Sequence, residues 1–228
     1  MSKAIPFFIL AVFCASSAGS VVFSDDFESG LGNWTIDGRQ APGTTNIANT
    51  VSRYGSMMGH LYKFSFTEVN FYRIFDYEPQ FGFSFDMEVT ASSDPPPASN
   101  YYGSSGVYFT FRDDAQEVLG TVAYITATTS FPFDQYNPRP DSQYNDVPAG
   151  VLRHYELWFD DILPQITIDE MQISTVVMVF NCYSSTYPYP SVSAELWVDN
   201  VDYGVIPEPA TVSLLAFGAL VMLKKLRV

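Results

Sequence analysis

Seven tyrosines, Tyr101, Tyr102, Tyr136, Tyr144, Tyr183, Tyr187 and Tyr189, stand in or beside segments rich in proline, serine and asparagine. A ring held there offers a flat apolar face and a hydroxyl handle at little entropic cost, which is the chemistry that stacks on a sugar. The same rings can instead cover a core or tile the edges of a fold. Asp86 and Glu88, two apart in FGFSFDMEV, would fall within the roughly 5–10 Å that a glycoside hydrolase needs between its carboxylates. Such pairs are also ordinary on a wet strand face. His60 and His154 have no metal-type partner at a fixed spacing, and no HExxH, CxxC, P-loop or nucleophile-elbow serine occurs. The reading is therefore of no enzyme and no catalytic residue.

The elements that must carry these side chains are short. HLYKFSF, VNFYRIFDY, FGFSFDMEV, GVYFTF, VLGTVAYITA, RHYELWF, ISTVVMVFNCY and SAELWVDNV are rich in aromatic and β-branched residues, and several alternate with period two. In FGFSFDMEV, Phe81, Phe83, Phe85, Met87 and Val89 face one way, and Gly82, Ser84, Asp86 and Glu88 the other. That pattern predicts a strand with one buried and one wet face. SSDPPPASNYYGSSG and FDQYNPRPDSQYNDVPAG read as loops by their turn chemistry. No long stretch between the ends has helical periodicity, and no internal repeat is present. Eight to ten antiparallel strands predict an all-β two-sheet sandwich, most simply a jelly roll.

The 228 residues are 47% hydrophobic, enough for one substantial core. The formal net charge is −14. Residues 19–206 carry 24 acidic against 7 basic side chains. A surface of that sign repels phosphate backbones, so nucleic acid is excluded as a partner, whereas divalent cations are favoured. Cys14 lies near the start, preceded by a bulky Phe13 that does not fit a lipoprotein signal. Cys182, in an apolar run, reads as a small buried hydrophobe.

The two ends have their own logic. Residues 1–20 hold Lys3, an apolar stretch from Ile5 to Ala15 and small residues up to Ser20, the order of a secretory signal peptide. A sandwich domain is expected over 21–204. Residues 205–228 form a tail in which Pro207, Glu208 and Pro209 precede an apolar segment, 210–223, and then Lys224, Lys225 and Arg227. By hydropathy 210–223 reads as a short transmembrane helix whose basic end stays cytoplasmic.

Pro207-Glu208-Pro209, Leu214-Leu215, Gly218 and the basic end resemble the PEP-CTERM protein-sorting domain. That resemblance implies processing by exosortase near Pro207 to Pro209 in a Gram-negative bacterium that makes exopolysaccharide. It further implies an inner-membrane precursor and delivery of the domain to the outer surface or extracellular matrix. SDDFESGLGNW and AELWVDNVDYG, at the two edges of the domain, resemble the opening and closing strands of carbohydrate-binding-module jelly rolls, which lie side by side. If they pair here, Asp25, Asp26 and Glu28 meet Asp199 as a hard-oxygen cluster suited to calcium. The resemblance implies a structural ion at Glu28 and Asp199, and Asp26, Glu28 and Asp199 are the expected ligands.

Together these readings predict a non-catalytic exported envelope or matrix protein whose sandwich binds polysaccharide through Tyr101, Tyr102, Tyr187 and Tyr189. A structural matrix or adhesion protein with no glycan site is the alternative, and a glycoside-active enzyme the third class.

Overall fold

Residues 20–38, 45–64, 67–93, 103–127, 142–184 and 192–205 are described by the computed structural model. In chain order their strands are β1 (Val21–Asp25), β2 (Thr35–Gly38), β3 (Thr45–Arg53), β4 (Ser56–Phe64), β5 (Thr67–Asp76) and β6 (Gly82–Ser93). These are followed by β7 (Gly103–Arg112), β8 (Val118–Ala127), β9 (Ser142–Asp146), β10 (Arg153–Trp158), β11 (Thr175–Ser184) and β12 (Val192–Gly204). One helical turn, α1 (Phe159–Ile162), follows β10.

The strands form two sheets. The first has the order β10-β6-β12-β4-β3, with β1 on β12, and the second the order β2-β5-β11-β7-β8-β9. The expected jelly-roll-like, two-sheet all-β sandwich is present, with one pair, β8 and β9, running parallel. β1 and β12 do lie side by side, Asp25 opposite Val201.

Alternation explains the core. Phe83, Phe85, Met87 and Val89 of β6 face Val107, Phe109 and Phe111 of β7 and Val176, Met178, Phe180 and Cys182 of β11, all buried in one cluster. Burying each such side chain is worth about 1.5–3 kcal/mol. Cys182 is buried, as its surroundings in the sequence predict, and burial pushes its thiol well above the usual range.

The segment after β1 is organised from Asp25. Its Oδ1 accepts the Phe27 amide at 2.8 Å, and its Oδ2 accepts the Trp34 indole N–H at 2.9 Å and the Asn33 amide nitrogen at 3.1 Å. Phe27 takes a positive φ of 57° and is buried against Trp34, with ring centroids 5.9 Å apart. The acidic motif at the head of the domain therefore closes a turn over the core.

The flanking helices expected from the sequence are corrected. Among the described residues no helix is long and apolar enough to cross a membrane. The 14 residues of 210–223 would span only about 21 Å at 1.5 Å per residue, against roughly 30 Å of hydrocarbon. The signal segment 1–20, apart from Ser20, and the tail from residue 206 onward lie outside the described residues.

Candidate functional site

Two faces of the sandwich point away from the core, and they differ. On the first sheet, side chains consume one another. Arg53 meets Glu88 at 2.8 Å, and the Tyr54 hydroxyl donates to the same carboxylate at 2.8 Å. The guanidinium of Arg53 lies 4.3 Å from the Trp197 ring centroid, and His60 stacks on that ring at 3.9 Å. Trp197 is left 9% exposed, so its ring has no face to offer. His60 Nε2 is 2.8 Å from Glu195, and His154 Nδ1 is 2.8 Å from Asp86, which also accepts the Asn200 amide at 2.8 Å. The two histidines thus have structural carboxylate partners. The sequence pattern placed Glu88 on a wet face, but Arg53 and Tyr54, brought over by the β3–β4 turn, cover it to 4% exposure. Asp86 and Glu88, the spacing considered for glycoside hydrolysis, are both committed to these contacts.

The outer face of the second sheet is different. Residues on β5, β11 and β7 that alternate with the core residues Val69, Phe71, Phe180, Cys182, Val107 and Phe109 must point outward. Register then places them in rows across the strands. Tyr72, Val179, Tyr108, Ala123 and Tyr144 form one row, and Asn70, Asn181, Gly106 and Ile125 the next, flanked by Asp37 and Asp146. Glu68, Tyr183 and Ser104 form a third. Tyr72 and Tyr108 are two strands apart, as are Tyr108 and Tyr144, giving spacings of about 10 Å along the row.

The four tyrosines of this face, Tyr72, Tyr108, Tyr144 and Tyr183, are half-buried, whereas the polar residues between them are deeply set. Asn70 is 8% exposed and Asn181 7%. Asn181 donates to Glu68 at 3.4 Å. Burial chiefly, then Tyr144, with Glu68 adding, holds the Tyr108 phenol well above its ordinary range, so it stays a hydroxyl donor. Asn70 Oδ1, Arg112 Nε, Ser142 Oγ and Thr175 Oγ1 are buried without a hydrogen-bond partner, and all four belong to this sheet. On the first sheet's outer face, Trp197 Nε1 is in the same condition. A buried polar atom left unpaired costs about 1–3 kcal/mol, so these atoms are the costliest feature of this sheet's outer side.

One glycine shapes the face. Gly106 has φ +158°, and a Cβ there would run into the Tyr124 carbonyl and Ile125. Its missing side chain lets β8 approach closely.

No protein-family model and no curated protein sequence matches the chain. Among solved structures it is similar to a family 11 carbohydrate-binding module from Clostridium thermocellum, solved in complex with a β-1,3-1,4-mixed-linked tetrasaccharide. The identity is 14%, the TM-score 0.42, and 82% of this chain and 95% of that one are covered. It is also similar to a xylan-binding domain from family 22, at 14% identity, TM-score 0.38, and 84% and 97% coverage. A family 22 xylan-binding domain from Paenibacillus barcinonensis gives 11%, 0.39, and 84% and 98%. Values this low assign no family to the chain.

The PEP-CTERM reading is corrected here. No family model matches any part of the chain, the tail included, and no membrane-crossing helix is found among the described residues. Exosortase as a partner, the inner-membrane precursor and surface delivery through that tail therefore have no support. Pro207, Glu208, Pro209, Lys224, Lys225 and Arg227 lie outside the described residues.

The sugar-stacking residues expected from the sequence, Tyr101, Tyr102, Tyr187 and Tyr189, also lie outside the described residues, as does Tyr136. Tyr144 and Tyr183, read as loop residues, sit on β9 and β11 in the outward phase and are half-buried. Tyr72 and Tyr108, absent from the sequence reading, complete the set. Their signal was available: in VNFYRIFDY and GVYFTF each occupies the phase opposite to the core phenylalanines.

The expected calcium ligands converge only in part. Asp199 is 5% exposed, and burial raises its pKa, with Asp86 and Asp26 adding to the shift and hydrogen bonds from Ser56 and Asn200 opposing it. Glu28 Oε1 accepts the Met57 amide at 3.0 Å, and Asp26 Oδ1 the Glu28 amide at 3.1 Å. The donors are hard oxygens, as calcium requires. Among the described residues, however, no group of three His, Cys, Asp or Glu is placed to hold a metal ion.

Proposed function

We propose that the sandwich is a glycan-binding module whose binding surface is the outer face of the second sheet. The observation that carries this reading is the set of buried, unpartnered polar atoms on that face, Asn70 Oδ1, Arg112 Nε, Ser142 Oγ and Thr175 Oγ1, interleaved with half-buried tyrosines. Sugars present alternating hydroxyl edges and apolar faces, so they can satisfy both kinds of group at once. A tyrosine row at about 10 Å intervals suits an extended oligosaccharide lying across the strands.

The role is one of binding and not of catalysis. The candidate hydrolytic pair, Asp86 and Glu88, is tied up by His154, Asn200, Arg53 and Tyr54 on the opposite face. The carbohydrate-binding modules named above are in keeping with a binding role, and the assignment rests on the face itself. Loop tyrosines 101, 102, 187 and 189 are proposed as additional contacts.

Calcium is proposed as a structural ion at Asp199. Its carboxylate is desolvated beside the charges of Asp86 and Asp26, a situation that a cation would relieve. Asp26 and Glu28 would have to turn from their present amide partners to join it.

The test of the glycan assignment is affinity electrophoresis of the full chain in gels containing neutral polysaccharides, run beside Tyr72→Ala and Tyr108→Ala. Retardation by at least one glycan, weakened in both variants, is expected. No retardation in any gel would leave a structural protein without a glycan site.

A further inference from the structure

We infer that the glycan taken by this face carries protonated amino groups, that is, an amino-sugar polymer with free amines; the inference rests on the glycan-binding reading above. It starts from two acceptors on β5. Glu68 and Asn70 are two apart and outward, so they stand about 7 Å from one another along the strand. Asn70 is 92% buried, and its Oδ1 has no hydrogen-bond partner. Glu68 is half-buried and receives one long hydrogen bond, 3.4 Å, from Asn181.

An ammonium group has three donors and no acceptor, which complements a carboxylate beside an unfilled amide oxygen. A hydroxyl group could fill Asn70 Oδ1 alone, but it would leave the partly desolvated Glu68 charge uncompensated. Hydrogen bonds between charged partners are about twice as strong as neutral ones. The Glu68 charge reaches the Tyr108 ring, whose phenol it helps hold in the protonated form.

The surroundings agree in sign. Asp37 and Asp146 flank the Asn70 row at its two ends. Among the described residues, Arg112 is the one basic side chain on this face, and it stands at the opposite end, beside Thr175. The whole chain carries −14, which draws a cationic polymer and repels a uronic-acid one.

The experiment titrates the purified full chain by calorimetry with three probes of similar length: β-1,4-linked glucosamine oligomers, their fully N-acetylated counterparts and β-1,4-glucose oligomers. The expected result is binding of the glucosamine oligomers about tenfold tighter than the other two. The preference should shrink with added salt and as the pH is raised enough to discharge the amine. Glu68→Gln, checked for an unchanged melting curve, should abolish the preference, so that the glucosamine oligomers bind no tighter than the other two. Equal or tighter binding of the glucose oligomers would overturn the amine inference while sustaining the glycan-binding reading. So would a preference that survives Glu68→Gln. Failure to bind any of the three would count against both.

Discussion

Replacing Asp25 by alanine should be among the most damaging single changes outside the hydrophobic core, and the reason is legible in three hydrogen bonds. The carboxylate is 5% exposed and accepts from the Phe27 amide, the Trp34 indole and the Asn33 side chain at 2.8, 2.9 and 3.1 Å. The Phe27 and Trp34 donors are themselves buried, so removing the acceptor strands two polar groups at about 1–3 kcal/mol each. Phe27 must also keep its positive φ of 57° without the bond that holds it there, which adds about 1 kcal/mol of unsupported strain. A total loss of about 3–7 kcal/mol follows, a large part of the roughly 5–15 kcal/mol that stabilises an ordinary domain. Urea denaturation followed by far-ultraviolet circular dichroism measures it, since Trp34 fluorescence would itself change. The loss should be the same with calcium and with chelator, because the acceptor role is internal to the turn. A loss under about 1 kcal/mol, or one seen only when calcium is present, would refute this account of Asp25.

Three further outcomes are expected. Asp199→Asn removes a carboxyl whose pKa is raised in the fold; the folded state holds that proton more tightly than the unfolded chain, so its contribution falls as pH rises from the ordinary carboxylate range through the raised value. In chelator the variant should therefore melt higher than the parent at neutral pH and match it in acid, and a lower melting temperature at neutral pH would contradict the reasoning. If calcium binds there, adding it should raise the parent's melting temperature and not that of Asp199→Asn, by RT ln(1 + [L]/Kd), about 2.7 kcal/mol at a hundredfold excess. Gly106→Ala should destabilise by about 1–3 kcal/mol, because its Cβ meets the Tyr124 backbone; calorimetry showing an unchanged melt would mean that β8 shifts freely.

What the sequence conveyed well was whatever depended on one strand at a time. The alternation in FGFSFDMEV placed Phe83, Phe85, Met87 and Val89 in the core, and the same logic located β4, β5, β7, β8, β10, β11 and β12. β9 was invisible because SQYND has no apolar phase; its place comes from pairing in parallel with β8. The face proposed for binding was hidden for a related reason. Nothing local distinguishes Glu88, outward on one sheet and sealed by Arg53 and Tyr54, from Asn70, outward on the other and left unpartnered. Which outward residues meet is decided by register between strands far apart in the chain, such as Asn70 opposite Asn181. The motif at the head of the domain was recognised by type, but the turn-closing role of Asp25 was not, since a carboxylate that accepts three hydrogen bonds reads in sequence like any other acid.

The most direct test of the central claim is the affinity of the full chain for the tightest-binding soluble glycan of a panel, compared between Tyr72→Ala on the second sheet's outer face and Glu195→Ala on the first's. Tyr72→Ala should weaken binding by about 1 kcal/mol, roughly fivefold, with circular dichroism unchanged, while Glu195→Ala should leave the affinity as it is. Equal affinities for Tyr72→Ala and the parent, or a loss confined to Glu195→Ala, would contradict the assignment of the binding face.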